Sequence, residues 1–275
     1  MKSIFHIKSD RIVESAQPVL LMEAGEKHIC FGIMNQTNRY LQQAAYYIAE
    51  GDESNLSEKV VEHHPELHTS FNQTLISYHF RDSVLIPADF FNHENATSLL
   101  NSLFDSNGNE IVISESVSEW QLHNVYRISK SLHSSFGKHF ASGKFWHTYS
   151  VALKNCLSTH EGANLLVDFK PNEFSVLLIL DNNFQLAQIF DYTTPADVLY
   201  HLLKICTNFS LLQEEVHVVV SGLIEQQSAL YEELHKYFLK IEFGSASGRI
   251  QMDESFYDYP VHYFSSLYKL AACVS

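Results

Sequence analysis

Two acids stand where apolar runs end, and both are placed where a carboxylate can do chemistry. Glu23 closes "LLME" and is followed by Ala24-Gly25-Glu26-Lys27; Asp168 closes "LLVD" and is followed by Phe169-Lys170-Pro171-Asn172-Glu173. A carboxylate at the mouth of a strand can hold a metal-bound nucleotide, provided that backbone N–H groups in the next turn are free to approach the phosphates. Glycine permits that approach because it has no side chain to block it. The first turn keeps one glycine and one lysine but adds Glu26 to the cradle. The second has no glycine, Pro171 has no N–H to give, and Glu173 brings further negative charge. Lys170 offers an anion one point charge, a weak substitute for several aligned amides. A third position, Ser221-Gly222, ends the run "VHVVVSG" at the carboxyl end of a strand. Ligand crevices of α/β sheets lie there, and so do ordinary strand-to-helix turns.

Other chemistry finds less support. Among sixteen histidines, His64 and His68 in "EHHPELH" are four apart, which on one helix would present both imidazoles on one side. Pro65 interrupts that helix, so a solvated helix end is expected and no metal site. There is no G-x-S-x-G, and Ser221-Gly222 lacks the preceding glycine of a nucleophile elbow. The adjacent pairs Asp253-Glu254 and Glu232-Glu233 diverge and read as solvated surface. Cys30, Cys156, Cys206 and Cys273 are far apart among apolar neighbours, with no C-x-x-C pair; they read as small buried side chains.

The elements that position these residues come from an internal duplication. "LLMEAGEKHICFGIMNQTNRYLQQAAYY" from Leu20 and "LLVDFKPNEFSVLLILDNNFQLAQIFDY" from Leu165 align without gaps in pattern rather than in identity. Each reads as strand, polar tetrapeptide, strand, Asn-rich turn (35–38 or 181–183) and strand, because Asn and Asp tolerate the left-handed angles of hairpin turns. After the second meander, Thr194-Pro195-Ala196-Asp197 combines an N-cap, a first-turn proline and an acid, and predicts a helix with Leu199, Leu202, Leu203, Cys206 and Phe209 on its apolar face. Leu56, Val60 and Val61 form a shorter version that Pro65 stops. The runs at 74–80 and 216–222 then predict a strand in each half, the second nearly all β-branched as for a strand buried on both faces. The order is β-β-β-α-β in both halves. "HNVYRIS", "KSLHSSFGKHF", "KFWHTYS" and "VALKNCL" add strand, helix, strand and helix to the first. A helix carrying Leu230, Leu234, Tyr237 and Phe238, the strand "KIEF" and a last helix around 261–271 complete the second. With no flexible linker between the halves, a two-lobed body is expected, residues 1–160 forming the first lobe and 161–275 the second.

The 275 residues, 45% hydrophobic and 18% charged, suffice for a sizeable core without disulfides. The formal net charge of -14 repels a phosphate backbone, so nucleic acid is not an expected partner. The start "MKSIFHIKSDRIVES" lacks a signal-peptide core and no run approaches a membrane span, which predicts a cytoplasmic protein without membrane insertion. Tyr257, Tyr259, Tyr263, Phe264 and Tyr268 near the end read as the apolar area that docks the last helix, or in part as a partner-binding patch.

A duplicated unit opening on a hairpin resembles the actin-like superfamily of sugar kinases and heat-shock chaperones, with its ribonuclease H-like lobes. More closely, "NVYRISKSLHSSFGKHFASGKFWHTYSVALKNCL" followed by "ANLLVDFKP" resembles the cytoplasmic pilus-assembly proteins of that superfamily. With "VLIPADFF" and "EEVHVVVSG", the chain from about residue 15 is similar to an uncharacterised family of Bacteroidetes proteins of this fold. The resemblance implies an α/β fold with two actin-like lobes, each a mixed sheet opening with a β-meander and flanked by helices. It places Asp168 at the position of the metal-water acid. It also makes Glu23, Gly25, Lys27, Lys170, Ser221 and Gly222 the residues from which any ATP and Mg site would be built. The glycines of active members are replaced, so the expectation is a pseudo-ATPase: no catalytic residue, no cofactor, and a scaffold that binds another protein or itself. The alternative is a divergent ATPase that uses the interlobe cleft and grips phosphate through Lys27 or Lys170. A small-molecule sensor using that cleft is a third reading.

Overall fold

The computed structural model describes residues 1–10, 17–51, 55–156, 160–245 and 250–274. The chain forms two compact units, residues 1–155 with 247–258 and 266–275, and residues 156–246 with 259–265.

The first unit is built on a six-stranded mixed sheet. Its strands are β1 (Lys2–Lys8), β2 (Pro18–Gly25), β3 (His28–Asn35), β4 (Tyr40–Ile48), β5 (Gln73–His79) and β9 (Lys144–His147), in the order β1-β4-β3-β2-β5-β9. β2, β3 and β4 are the expected antiparallel meander, and β5 and β9 join parallel to it. β2 and β5 are buried almost end to end, as parallel-paired strands covered on both faces must be. Helix α1 (Leu56–His63) packs Leu56, Val60 and Val61 into a core with Leu20, Phe31 and Tyr78, and α3 (Lys130–His139) adds Phe136 to it. A three-stranded antiparallel sheet of β6 (Ser83–Pro87), β7 (Glu110–Val117) and β8 (Leu122–Ser129) carries α2 (Ala96–Leu103), whose Ala96 and Leu100 pack on Val125. α4 (Thr148–Asn155) follows β9 and begins at Thr148, inside the run read as strand.

The second unit repeats the pattern without the additions. β10 (Ala163–Phe169), β11 (Glu173–Leu180), β12 (Asn183–Asp191), β13 (His217–Gly222) and β14 (Lys240–Phe243) are ordered β12-β11-β10-β13-β14, which matches β4-β3-β2-β5-β9 strand for strand. Helix α5 (Pro195–Asn208) starts where the sequence predicts, with Asp197 Oδ2 accepting from the Thr194 N–H at 2.8 Å. It buries Val198, Leu199, Leu202, Ile205 and Cys206 against Val167, Val176 and Val218. α6 (Ala229–His235) contributes Leu234 to that core. α7 (Ser265–Ala271), which follows a 3-10 turn at Val261–Phe264, belongs to the first unit from Ser266 onward. Both units thus show the expected β-β-β-α-β order.

The two Asn-rich turns work differently. Asp181 and Asn182 take left-handed angles, φ 49° and 60°, and form a two-residue hairpin turn. In the first unit Arg39 takes the left-handed angle instead (φ 52°), while the side chains of Asn35 and Asn38 accept from the N–H groups of Thr37 and Tyr40. Of the terminal aromatics, Phe264 and Tyr268 are buried as expected but Tyr257 is exposed. Cys30, Cys156 and Cys206 are buried and Cys273 is partly so. No helix among the described residues is long and apolar enough to cross a membrane.

Candidate functional site

The hairpin between β10 and β11 brings Asp168, Lys170, Ser221 and Gly222 together. Phe169 pairs with Phe174 across it, and the Lys170 N–H donates to the Glu173 carbonyl at 2.8 Å, leaving Pro171 and Asn172 at the tip. Asp168 lies beside Ser221 of the parallel strand β13. Its Oδ2 accepts from Ser221 Oγ and from Ser265 Oγ, each at 3.0 Å. Lys170 turns its side chain inward rather than out to solvent: it is 2% exposed, and its Nζ lies 2.9 Å from Asp168 Oδ1. A buried ammonium requires a counter-charge, and this carboxylate supplies it. Tyr192 Oη donates to the Lys170 carbonyl at 3.0 Å and sets its ring edge-on to Phe169, which holds the turn in place.

Gly222 has a structural reason to be glycine. Its φ is +77°, and a Cβ there would lie 2.1 Å from the Phe169 carbonyl oxygen and 2.8 Å from Asp168 Oδ1. The space is taken by the end of β10. Nearby, His262 Nε2 donates to the Ile224 carbonyl at 2.6 Å and the ring stacks on Phe243. Burial lowers the His262 pKa, against the opposing pull of the Ile224 carbonyl and the Asp168 carboxylate.

The hairpin between β2 and β3 has the same length and a different solution. Glu23 is 2% exposed, pairs in register with Ser77 of β5, and accepts from Ser266 Oγ at 3.0 Å. Its Oε1 lies 3.3 Å from Nε2 of the buried His28, whose ring stacks on Tyr46 and meets His79 edge-on. A Cβ on Gly25 would lie 2.3 Å from that imidazole, so Gly25 makes room for His28. Glu26 and Lys27 are exposed at the tip, and the Lys27 carbonyl is bonded to the Ala49 N–H. In the gap-free repeat alignment Gly25 falls on Lys170. At that shared position one hairpin supplies an ammonium to its acid, and the other withdraws its side chain so that an imidazole can reach its acid from across the turn.

A cavity of about 600 Å³ opens beside the first hairpin, bordered by Gly25 and Glu26. Its wall holds four acids, Glu26, Glu58, Asp82 and Glu110, against Arg81 and Arg127. Arg127 is itself engaged, with Asp82 and Glu110 at 3.3 and 3.5 Å, the Asp105 carbonyl at 2.9 Å and Asn101 Oδ1 at 2.6 Å. Such a wall repels a polyanion.

At the two hairpins, then, the Asp168 carboxylate carries an ammonium, the turn after it has a proline, and the room over Gly25 is filled by an imidazole. The sequence spacing of His64 and His68 leads nowhere: His68 faces His139, while His64, expected to be solvated, is 2% exposed. Pro65 ends the helix as expected and begins a 3-10 turn, and His64 between the two is turned inward. Spacing does not reveal where Lys170 and His28 direct their side chains, nor that Ser265 and Ser266 reach acids 97 and 243 residues away.

Comparison with known proteins agrees with the architecture. A family model described as a protein of unknown function (DUF3822) matches residues 8–241. No curated protein matches the chain in sequence. A Bacteroides thetaiotaomicron protein with an actin-like ATPase fold and unknown function superposes with a TM-score of 0.78 at 18% identity, over 96% of this chain and 100% of that one. A chain of the PilM–PilN type IV pilus biogenesis complex gives a TM-score of 0.57 at 9% identity, over 95% and 98%. The fold is therefore actin-like, as the duplicated hairpins and the pilus-protein resemblance imply.

Proposed function

The chain belongs to the DUF3822 family of proteins of unknown function, and from that premise we propose that it is a non-catalytic actin-like protein, a scaffold in the cytoplasm that binds another protein or a second copy of itself. The observation that carries this reading is the Lys170 ammonium, 2.9 Å from Asp168 Oδ1 and buried with it. A cation already resides where a nucleotide's metal would need the carboxylate, and displacing it would strand a buried charge. The fold match to a chain from a pilus biogenesis complex supports the protein-binding half of the proposal, because that fold is found there in a complex.

Thermal unfolding of the full chain with and without Mg-ATP tests the reading. A bound ligand at 100 times its dissociation constant would add about 2.7 kcal/mol of stability. No shift in the midpoint and no ATP turnover above buffer are expected. An upward shift that disappears in Asp168→Ala would overturn the proposal in favour of a divergent ATPase. Such an ATPase would have to hold phosphate through the exposed Lys27, since Lys170 is committed to Asp168.

A further inference from the structure

His6, His64 and Glu66 come together on the first unit, with one ligand atom from each lying within 4.8 Å of the others. His6 is on β1, where it pairs with Ala45 of β4; among the described residues this edge strand has no counterpart in the second unit. His64 follows α1 at the point where Pro65 forces the chain to turn, and Glu66 lies in the 3-10 turn that Pro65 begins. Their separation in sequence hides the group from any spacing rule.

We propose that His6, His64 and Glu66 bind a divalent transition-metal ion of the zinc class. Two imidazole nitrogens and one carboxylate oxygen are the donors such a borderline cation prefers, whereas calcium and magnesium require more oxygen. His64 is oriented for the task. Its Nε2 lies 2.8 Å from Tyr47 Oη, so an Nε2–H donated to that oxygen leaves Nδ1 as the ligand. That Nδ1 is already 2.8 Å from Glu66 Oε1, close to the separation of about 3.3 Å between neighbouring donors around tetrahedral zinc. His6 is exposed, which gives the ion a path from solvent and leaves the third ligand free to adjust.

Gln43 fits the same picture. Its carboxamide nitrogen lies 3.2 Å from His6 Nε2 and donates to Glu66 Oε1, so one polar hydrogen-bearing group spans the two outer ligands. Turning that carboxamide over presents Oε1 to the same centre as a fourth ligand, and otherwise water completes the tetrahedron. The ion would clip β1 to the turn that follows α1.

The test uses the full chain, stripped with EDTA, dialysed and titrated with zinc chloride by calorimetry, with thermal unfolding in parallel. One ion per chain and a rise in the unfolding midpoint are expected. His6→Ala and Glu66→Gln should each weaken binding by more than about tenfold, and Tyr47→Phe, which removes the partner of the His64 Nε2–H, by roughly tenfold. His6→Ala changes an exposed side chain, and its metal-free midpoint reports whether the fold is kept; should it be lost, Glu66→Gln gives the same reading. The competing cluster is His160, stacked on His217 at 4.4 Å and 2.9 Å from Glu242. Absence of zinc binding, binding unchanged in both His6→Ala and Glu66→Gln, or binding abolished by His160→Ala alone would each overturn the proposal.

Discussion

Lys170 and Asp168 form a buried ion pair across one intervening residue, Nζ to Oδ1 at 2.9 Å, within the hairpin that carries both. Breaking such a pair leaves an uncompensated charge in a dry place, which costs about 3–5 kcal/mol. Lys170→Met is expected to lose stability on that scale in urea unfolding. Adding Asp168→Asn should recover most of the loss, because no bare charge then remains. Equal stability of Lys170→Met and the parent would show that the ammonium is not held there.

Gly222→Ala tests the close approach of β13 to the end of β10. A methyl group would meet the Phe169 carbonyl at 2.1 Å in a backbone conformation with φ +77° that side chains disfavour. A loss of about 2 kcal/mol or more is expected from denaturant unfolding. Gly162→Ala, also at positive φ but with open space around the new carbon, should lose less.

Gly25 and His28 should behave as a unit. Gly25→Ala alone collides with the imidazole 2.3 Å away, while His28→Ala alone opens a gap beside Glu23. The double variant removes the collision, so the two losses should fall short of additive by about 1 kcal/mol or more in a double-mutant cycle. Strict additivity would separate the two residues.

Glu115 and His147 should offset each other in the pH dependence of stability. Burial pushes the Glu115 carboxyl from 4.5 up to about 7, even though it accepts the His147 N–H at 2.8 Å. Its folded form binds the proton more tightly than its unfolded form, so its contribution is complete below pH 4.5 and is lost as pH rises through about 7. Burial lowers fully enclosed His147 from 6.5 to about 4, with Nε2 donating to the Phe80 carbonyl and Nδ1 accepting from the Tyr149 N–H. Its contribution is complete above pH 6.5 and is lost as pH falls through about 4. Taken alone, each shift is worth roughly 3 kcal/mol. The two act in opposite directions over nearly the same window, pH 4.5 to 6.5, and so offset each other in the parent. Unfolding free energies measured from pH 4 to 8 should fall with rising pH in His147→Gln, where the Glu115 contribution stands alone, and rise with rising pH in Glu115→Gln, where the His147 contribution stands alone.

Much of the scaffold was legible because it rests on local rules. The β-branched run at β13, the helix start at Thr194-Pro195-Ala196-Asp197 and the turn at Asp181-Asn182 each announce their geometry within a few residues. β1 is not legible, since the adjacent Ile4 and Phe5 in "KSIFHIK" break the alternation that marks a half-buried strand. The small sheet of β6, β7 and β8 lies outside the repeat that organised the rest. The candidate residues were legible as positions and not as destinations. Glu23, Gly25, Asp168, Lys170, Ser221 and Gly222 do lie at the two hairpins and the end of β13, but which way Lys170 folds depends on what it must neutralise. His64 was misread as solvated because a proline marks where a helix stops, and says nothing of which neighbour the freed ring will meet.

A tethered counter-ion differs from a dissolved one in one respect that bears on the whole protein. Because Lys170 is joined to Asp168 through a single residue, its local concentration is set by chain length and lies at the millimolar level or above, whatever the surroundings contain. Depleting or flooding the medium with cations should therefore leave this carboxylate's partner unchanged, so that Asp168 is neutralised from within the chain rather than by ionic supply.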